Sequence, residues 1–252
     1  MSSPPQSSLL NPLYQSFLRG AKGRPPIDKL HHYFDVYHKH LDGFRGRAPT
    51  ILEIGVQNGG ALHMWKDYFG EGARVFGVDV DPACEHRGPP DSKVFIGSQA
   101  DPDFLRRVVA ETGPLDVVID DGGHTANQMI VSFETLYPHM KSPGVYLVED
   151  VCTQFWGGGW LDDPQGRTFI DYARDLVSVL HEWTGKRSNF GALRTPPHQR
   201  AAPLPASDLC RATFSVCFYD SIVVIVRRNR PEPWIELRIQ DPEISPAPPR
   251  GG

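Results

Sequence analysis

Seven short apolar runs punctuate the chain, at residues 50–54, 74–80, 93–96, 115–119, 144–148, 213–219 and 222–226. Each has the length of a strand, and most are too continuously apolar to leave one face in water. Stretches with helical spacing separate most of them, at 27–41, 60–68, 102–110, 125–140 and 167–183. Strands alternating with helices predict an α/β chain with a parallel sheet covered on both faces. Only Asp220-Ser221 separates the last two runs, which predicts an antiparallel hairpin closing that sheet. In this architecture ligands sit beyond the carboxyl ends of the strands. Candidate chemistry is therefore sought just after Ile54, Val78, Ile96, Ile119 and Val148.

Composition places the chain among ordinary globular proteins. It has 252 residues, 40% apolar and 22% charged, with a net charge of −4. That balance gives no reason to expect nucleic acid or an anionic membrane as a partner. No apolar run approaches the roughly 20 residues of a membrane span, and the N-terminus lacks the pattern of a signal peptide. The four cysteines form no C-x-x-C pair. They read as reduced thiols, so a cytoplasmic location is expected. Fifteen of the 24 prolines lie before residue 27 or after residue 195. The reading is a flexible segment over 1–26, a domain over 27–228 and a Pro-rich tail over 229–252. A further Pro-rich stretch, RTPPHQRAAPLPAS, reads as a surface loop.

The first strand runs into a glycine turn, Leu52-Glu53-Ile54-Gly55-Val56-Gln57-Asn58-Gly59-Gly60, and the second ends in Asp79. A glycine turn with a distant acid suits any adenosine-containing ligand, because a carboxylate accepts both ribose hydroxyls. The dinucleotide fingerprint needs glycine where Gln57 stands. Glu53 would repel a pyrophosphate but suits the ammonium and sulfonium of S-adenosylmethionine. A purely structural turn, with Asp79 as a cap, is the plain alternative.

Strand four ends Asp120-Asp121-Gly122-Gly123-His124, and strand five ends Glu149-Asp150. Four carboxylates gathered at neighbouring strand ends raise one another's pKa or require a cation. Oxygen ligands suit Mg²⁺, Mn²⁺ or Ca²⁺ over soft metals. His124 is placed to take a proton near neutral pH. The plain alternative makes the acids helix caps and His124 a satisfied polar residue. His31, His32, His38 and His40 share one helical stretch and read better as a helix face than as a second metal site. The loop Trp156-Gly-Gly-Gly-Trp160 reads either as a mobile lid with stacking aromatics or as an ordinary hydrophobic loop.

From about Asp28 to Arg228 the chain resembles the metal-dependent class I S-adenosylmethionine methyltransferases that modify deoxysugars on natural products. Within that family it is similar to the mycinamicin-type macrolide sugar 2-O-methyltransferases and the elloramycin-type rhamnosyl O-methyltransferases. The resemblance rests on Asp28-Lys29 with His31-His32-Tyr33-Phe34, LEIGVQNGG, FGVDVDP, IGSQADPDFL, IDDGGH, YLVEDV and FYDSIVVI. LEIG is common to many methyltransferases, whereas IDDGGH, VED and FYDSIVVI at this spacing are more specific. The resemblance implies a Rossmann-like class I methyltransferase fold with a mostly parallel seven-stranded sheet. It implies that Glu53 and the Gly55 backbone hold the methionine end of the cofactor and that Asp79 holds the ribose. Ser98 and Gln99 would meet the adenine side, and Asp120 would lie behind the metal or on the cofactor side. Asp121, Glu149 and Asp150 would hold Mg²⁺ or Mn²⁺, with His124 as general base. A small-molecule glycoside or sugar is the implied acceptor, and homo-oligomerisation is left open. The larger macrolide-sugar enzymes carry an additional N-terminal domain, which a chain of this length is expected to lack. Gly123 departs from the small polar residue expected there. The competing readings are methylation of a catechol or other non-sugar diol, a non-catalytic cofactor-binding subunit, and a nicotinamide dehydrogenase, which Gln57 and Glu53 disfavour.

Overall fold

A computed structural model describes residues 10–19 and 23–237. The order is α1 (Pro12–Arg19), α2 (Tyr33–Leu41), β1 (Thr50–Ile54), α3 (Gly60–Phe69), β2 (Arg74–Asp79), β3 (Lys93–Ile96), α4 (Pro102–Thr112), β4 (Leu115–Asp120), α5 (Ala126–Leu136), β5 (Met140–Val148), α6 (Phe169–Leu180), α7 (Asp208–Ala212), β6 (Thr213–Tyr219) and β7 (Ile222–Arg227). The sheet order is β3-β2-β1-β4-β5-β7-β6. β1 to β5 are parallel, and β7 pairs antiparallel with both β5 and β6. This is the doubly wound, hairpin-closed sheet expected from the apolar runs.

Strand alternation divides the core. Ile51, Val117, Ile119, Val145 and Leu147 face α1, α2 and α3. Leu52, Ile54, Val118, Tyr146 and Val148 face α4, α5 and α6. A third cluster of Trp183, Leu193, Leu204 and Cys210 lies beyond α6. Leu193 immediately precedes the Pro-rich stretch read as a loop and Leu204 lies within it, so this stretch closes over a small core of its own.

Several boundaries differ from the sequence reading, each for a local reason. The helix expected over 27–41 begins only at Tyr33; residues 25–30 carry no regular structure. The helix expected over 125–140 ends at Leu136, and the 3₁₀ turn Tyr137–His139, which contains Pro138, leads straight into β5. The α6 helix is shorter than 167–183 because a Thr168–Asp171 capping box fixes its start. The segment 1–26, read as flexible, contains α1, whose Leu13 is fully buried. In the C-terminal tail, Arg230 and Ile235 bond back to the domain, at Arg211, Leu180 and Leu193 among others. Residues 238–252 of that tail lie outside the described residues. Among the described residues, no helix is long and apolar enough to cross a membrane.

Candidate active site

The sheet changes direction between β1 and β4, where an open parallel sheet leaves a crevice at its carboxyl edge. A cavity of about 830 Å³ fills that crevice. Its walls include Gly55, Gln57, Asp79, Ser98, Gln99, Asp121, His124, Glu149, Asp150 and Trp156.

The glycine turn forms one side. Gly55 has φ +90°, and a Cβ there would stand 2.0 Å from the Asp121 carbonyl oxygen. Only glycine lets the ends of β1 and β4 come this close. The Val56 and Gln57 amides donate to Asp79 Oδ2 at 2.9 and 3.0 Å, and the Asp81 amide donates to Oδ1 at 2.9 Å. Burial works to raise the Asp79 pKa, but these three amides outweigh it and hold the carboxyl below its ordinary value. Asp79 therefore both fixes the turn and presents an ionised acid to the cavity. Ser98, exposed at the rim, accepts the Ala100 amide at 3.1 Å.

The acids form the other side. Asp121 Oδ1 and Asp150 Oδ2 each lie 3.8 Å from His124 Nε2. One ligand atom from each of these three residues falls within 4.8 Å of the others. His124 and Asp150 have left-handed backbones, with φ +57° and +53°. Thr153 Oγ1 donates to both of their carbonyls, at 3.1 and 2.9 Å. Glu149 is buried against Lys29, whose ammonium donates to Glu149 Oε2 at 2.8 Å and also to Asp121 Oδ2. The Tyr33 hydroxyl donates to Asp150 Oδ1. Burial and the Asp121 charge push the Glu149 pKa well up, while Lys29 holds it back. Among the described residues, Glu149 Oε1, His124 Nδ1 and Tyr37 Oη are buried without hydrogen-bond partners.

Two expected site residues do not reach the cavity. Glu53 points toward α3 and accepts from Trp65 Nε1 at 3.1 Å. Burial raises its pKa to about 8, with Lys29 opposing. Asp120 points to the opposite face, accepting from Ser132 and from Gln99 Nε2 (2.9 Å). Burial raises its pKa to about 6 against those hydrogen bonds. The cause is strand alternation: residues 53 and 120 point into the sheet's two faces, Glu53 toward α3 and Asp120 toward α5, and so away from the crevice at the carboxyl edge. Gln99, expected on the adenine side, also braces the fold, since its Oε1 accepts the Gly123 amide at 2.8 Å. Lys29, Tyr33, Tyr37 and Thr153 received no role in the sequence reading. Lys29 and Tyr33 belong to a motif on which the resemblance rests, and Lys29, Tyr33 and Tyr37 are spaced four residues apart.

The residues present fit both an adenosyl cofactor and a divalent cation. The turn and its ionised Asp79 offer the groups a nucleoside needs. A buried, unpartnered carboxylate oxygen beside two further acids offers hard donors to a cation.

No family model matches the chain. The 8-demethyl-8-alpha-L-rhamnosyl tetracenomycin-C 2'-O-methyltransferase of Streptomyces olivaceus is 40% identical over 176 residues, covering 65% of this chain and 46% of that protein. The mycinamicin VI 2''-O-methyltransferase of Micromonospora griseorubida is 36% identical over 166 residues, covering 62% and 41%. The chain thus spans less than half the length of these two curated relatives. A crystal structure of the MycE methyltransferase of mycinamycin biosynthesis, in complex with Mg, SAH and mycinamycin VI, superposes with a TM-score of 0.68. It is 26% identical, and the match covers 93% of this chain and 57% of that one. The chain is a homologue, through a class I methyltransferase fold, of the O-methyltransferases that modify sugars on natural products.

Proposed function

We propose that the protein is an S-adenosylmethionine-dependent, Mg²⁺- or Mn²⁺-assisted O-methyltransferase acting on a sugar hydroxyl of a natural product, of the deoxysugar or rhamnosyl type. One observation carries this reading: a nucleoside-type turn and a cluster of three acids with a histidine face each other across a single cavity. The relatives' names supply the sugar.

Asp79 and the Gly55 turn would hold the adenosyl group, and Asp121, Glu149 and Asp150 the cation. The cofactor supplies a methyl group already activated as a sulfonium, and the cation lowers the pKa of a sugar hydroxyl. The remaining work belongs to side chains. They must align the hydroxyl with the methyl and remove its proton. His124 Nε2 faces the two acids and takes that proton, and the Thr153 bond to its carbonyl holds its backbone in place. Trp156 stands at the cavity wall, 67% exposed, with Trp160 edge-on to it at 5.8 Å. Their rings offer a stacking surface for the acceptor's apolar face.

The test is methyl transfer from labelled S-adenosylmethionine to a panel of rhamnosides, other deoxysugar glycosides and catechols. The expected result is labelled glycoside, lost after exhaustive chelation and restored by Mg²⁺. Labelling of catechols alone points to the non-sugar reading. Full activity without a divalent cation removes the metal role.

A further inference from the structure

The acid cluster already holds a cation of its own. The Lys29 side chain is 3% exposed, and its ammonium bonds to both Asp121 and Glu149. An unpaired buried ammonium is costly, so the lysine stays only because the acids compensate it. The reverse also holds. Two neighbouring carboxylates repel each other unless something positive stands between them. Glu149 gives one oxygen to Lys29, and its other oxygen is buried without a partner.

Lys29 rides on a strap, residues 23–32, that has no helix or strand. The strap is tied at each end. Arg24 pairs with Asp67 of α3 at 2.6 Å, and the His32 ring meets the Asp220 carbonyl at 3.1 Å. Between these ties it lies directly on the start of α3, where a Cβ on Gly60 would stand 2.5 Å from the Pro26 carbonyl oxygen. Pro26, Ile27, Asp28 and Leu30 of the strap form a wall of the cavity. The strap thus holds the Lys29 backbone beside the acids while leaving its four-carbon side chain the only part that must move.

We propose that Lys29 is a tethered counter-cation: it occupies the Asp121–Glu149 pair in the metal-free protein, and a divalent cation binds by displacing it. Lys29 is then a positioning residue, which keeps two repelling acids side by side and ready. It also weakens the site for metal, because a cation that takes both Asp121 and Glu149 must first break the two ion pairs of Lys29. This inference rests on the divalent-cation role proposed above.

Two measurements on the full chain test it. The first is acylation of Lys29 by an amine-reactive ester, read by mass spectrometry against exposed Lys186. Lys29 should react slowly in chelator and roughly tenfold or more faster at saturating Mg²⁺, as a protected group does when its site opens. The second is calorimetric titration of the metal-free protein with MgCl2. Lys29→Met should bind Mg²⁺ at least about tenfold more tightly than wild type, and Lys29→Arg close to wild type. Should Lys29→Met fail to fold, the acylation of the wild-type chain decides alone. Continued protection of Lys29 at a Mg²⁺ concentration that saturates the calorimetric signal overturns the displacement and leaves the metal reading standing. Absence of Mg²⁺ and Mn²⁺ binding to wild type and variants alike removes the metal reading, and this inference with it.

Discussion

Gln57, His124 and Asp150 are non-glycine residues with left-handed backbones, and all three line one cavity. Each such conformation costs on the order of 1–3 kcal/mol, and it persists where the surroundings over-determine it. Thr153 does so for two of them by bonding both carbonyls. His124 is thereby aimed at the acids, and its role can be separated from that of a ligand. His124→Ala is expected to lower turnover by roughly 10²–10⁴-fold, the usual share of a general base. Its affinities for S-adenosylhomocysteine and Mg²⁺, measured by calorimetry, should stay near wild type. A large loss of Mg²⁺ affinity would make His124 a ligand instead. Glu53 carries a different consequence. Its folded pKa of about 8 stands above its ordinary value of 4.5, so the folded state holds its proton through that window. Stability therefore falls as pH rises through the window, by up to about 1.4 kcal/mol per unit from this group. Glu53→Gln should match wild type near about pH 5 and exceed it near about pH 8.5 in denaturant melts with chelator present. Equal pH profiles would show that Glu53 titrates normally. The acids just past the strand ends were legible because strand ends point to the crevice. The placement of Glu53 was not, because it depends on which face each strand position meets.

Elements, too, carry function that apolar spacing alone did not reveal. The strap before α2 brings Lys29 to the acids, and α2 adds Tyr33 and Tyr37 one turn apart. The sequence pattern of 27–41 is amphipathic, so it read as one helix. Its first residues instead form no regular structure, and Lys29 ends in a buried ion pair that periodicity does not report. α1 shows a similar limit. Its Ser- and Pro-rich surroundings suggested a flexible segment, yet Leu13 is fully buried in the same core as Tyr37 and Trp65. Leu13→Ala should cost about 2–5 kcal/mol of unfolding free energy, the range for a truncated core leucine. Chemical denaturation measures it, and a change under about 0.5 kcal/mol, typical of surface sites, would contradict the docking of α1. The strands were more legible. β1, β3 and β6 match the bounds of their apolar runs, and β1, in the middle of the sheet, is buried at every position, as a strand covered on both faces must be.

At the scale of the molecule, the sheet order places its direction change between β1 and β4, and the cavity follows from it. Alternating strands and helices pointed to the carboxyl edge of the sheet, though not to the strand order. The third core cluster was not legible, since Leu193 borders and Leu204 lies within a proline-dense stretch whose composition gives no period. What unites these levels is one claim: the crevice binds an adenosyl cofactor at the Gly55–Asp79 side, next to a divalent-cation site. The most direct measurement is a calorimetric titration of the chain with S-adenosylhomocysteine, with and without Mg²⁺, on wild type and Asp79→Ala. Micromolar binding to wild type is expected, with a loss of at least about tenfold, or 1.4 kcal/mol, in Asp79→Ala. No binding to wild type under either condition, or affinity indifferent to Asp79, would contradict it.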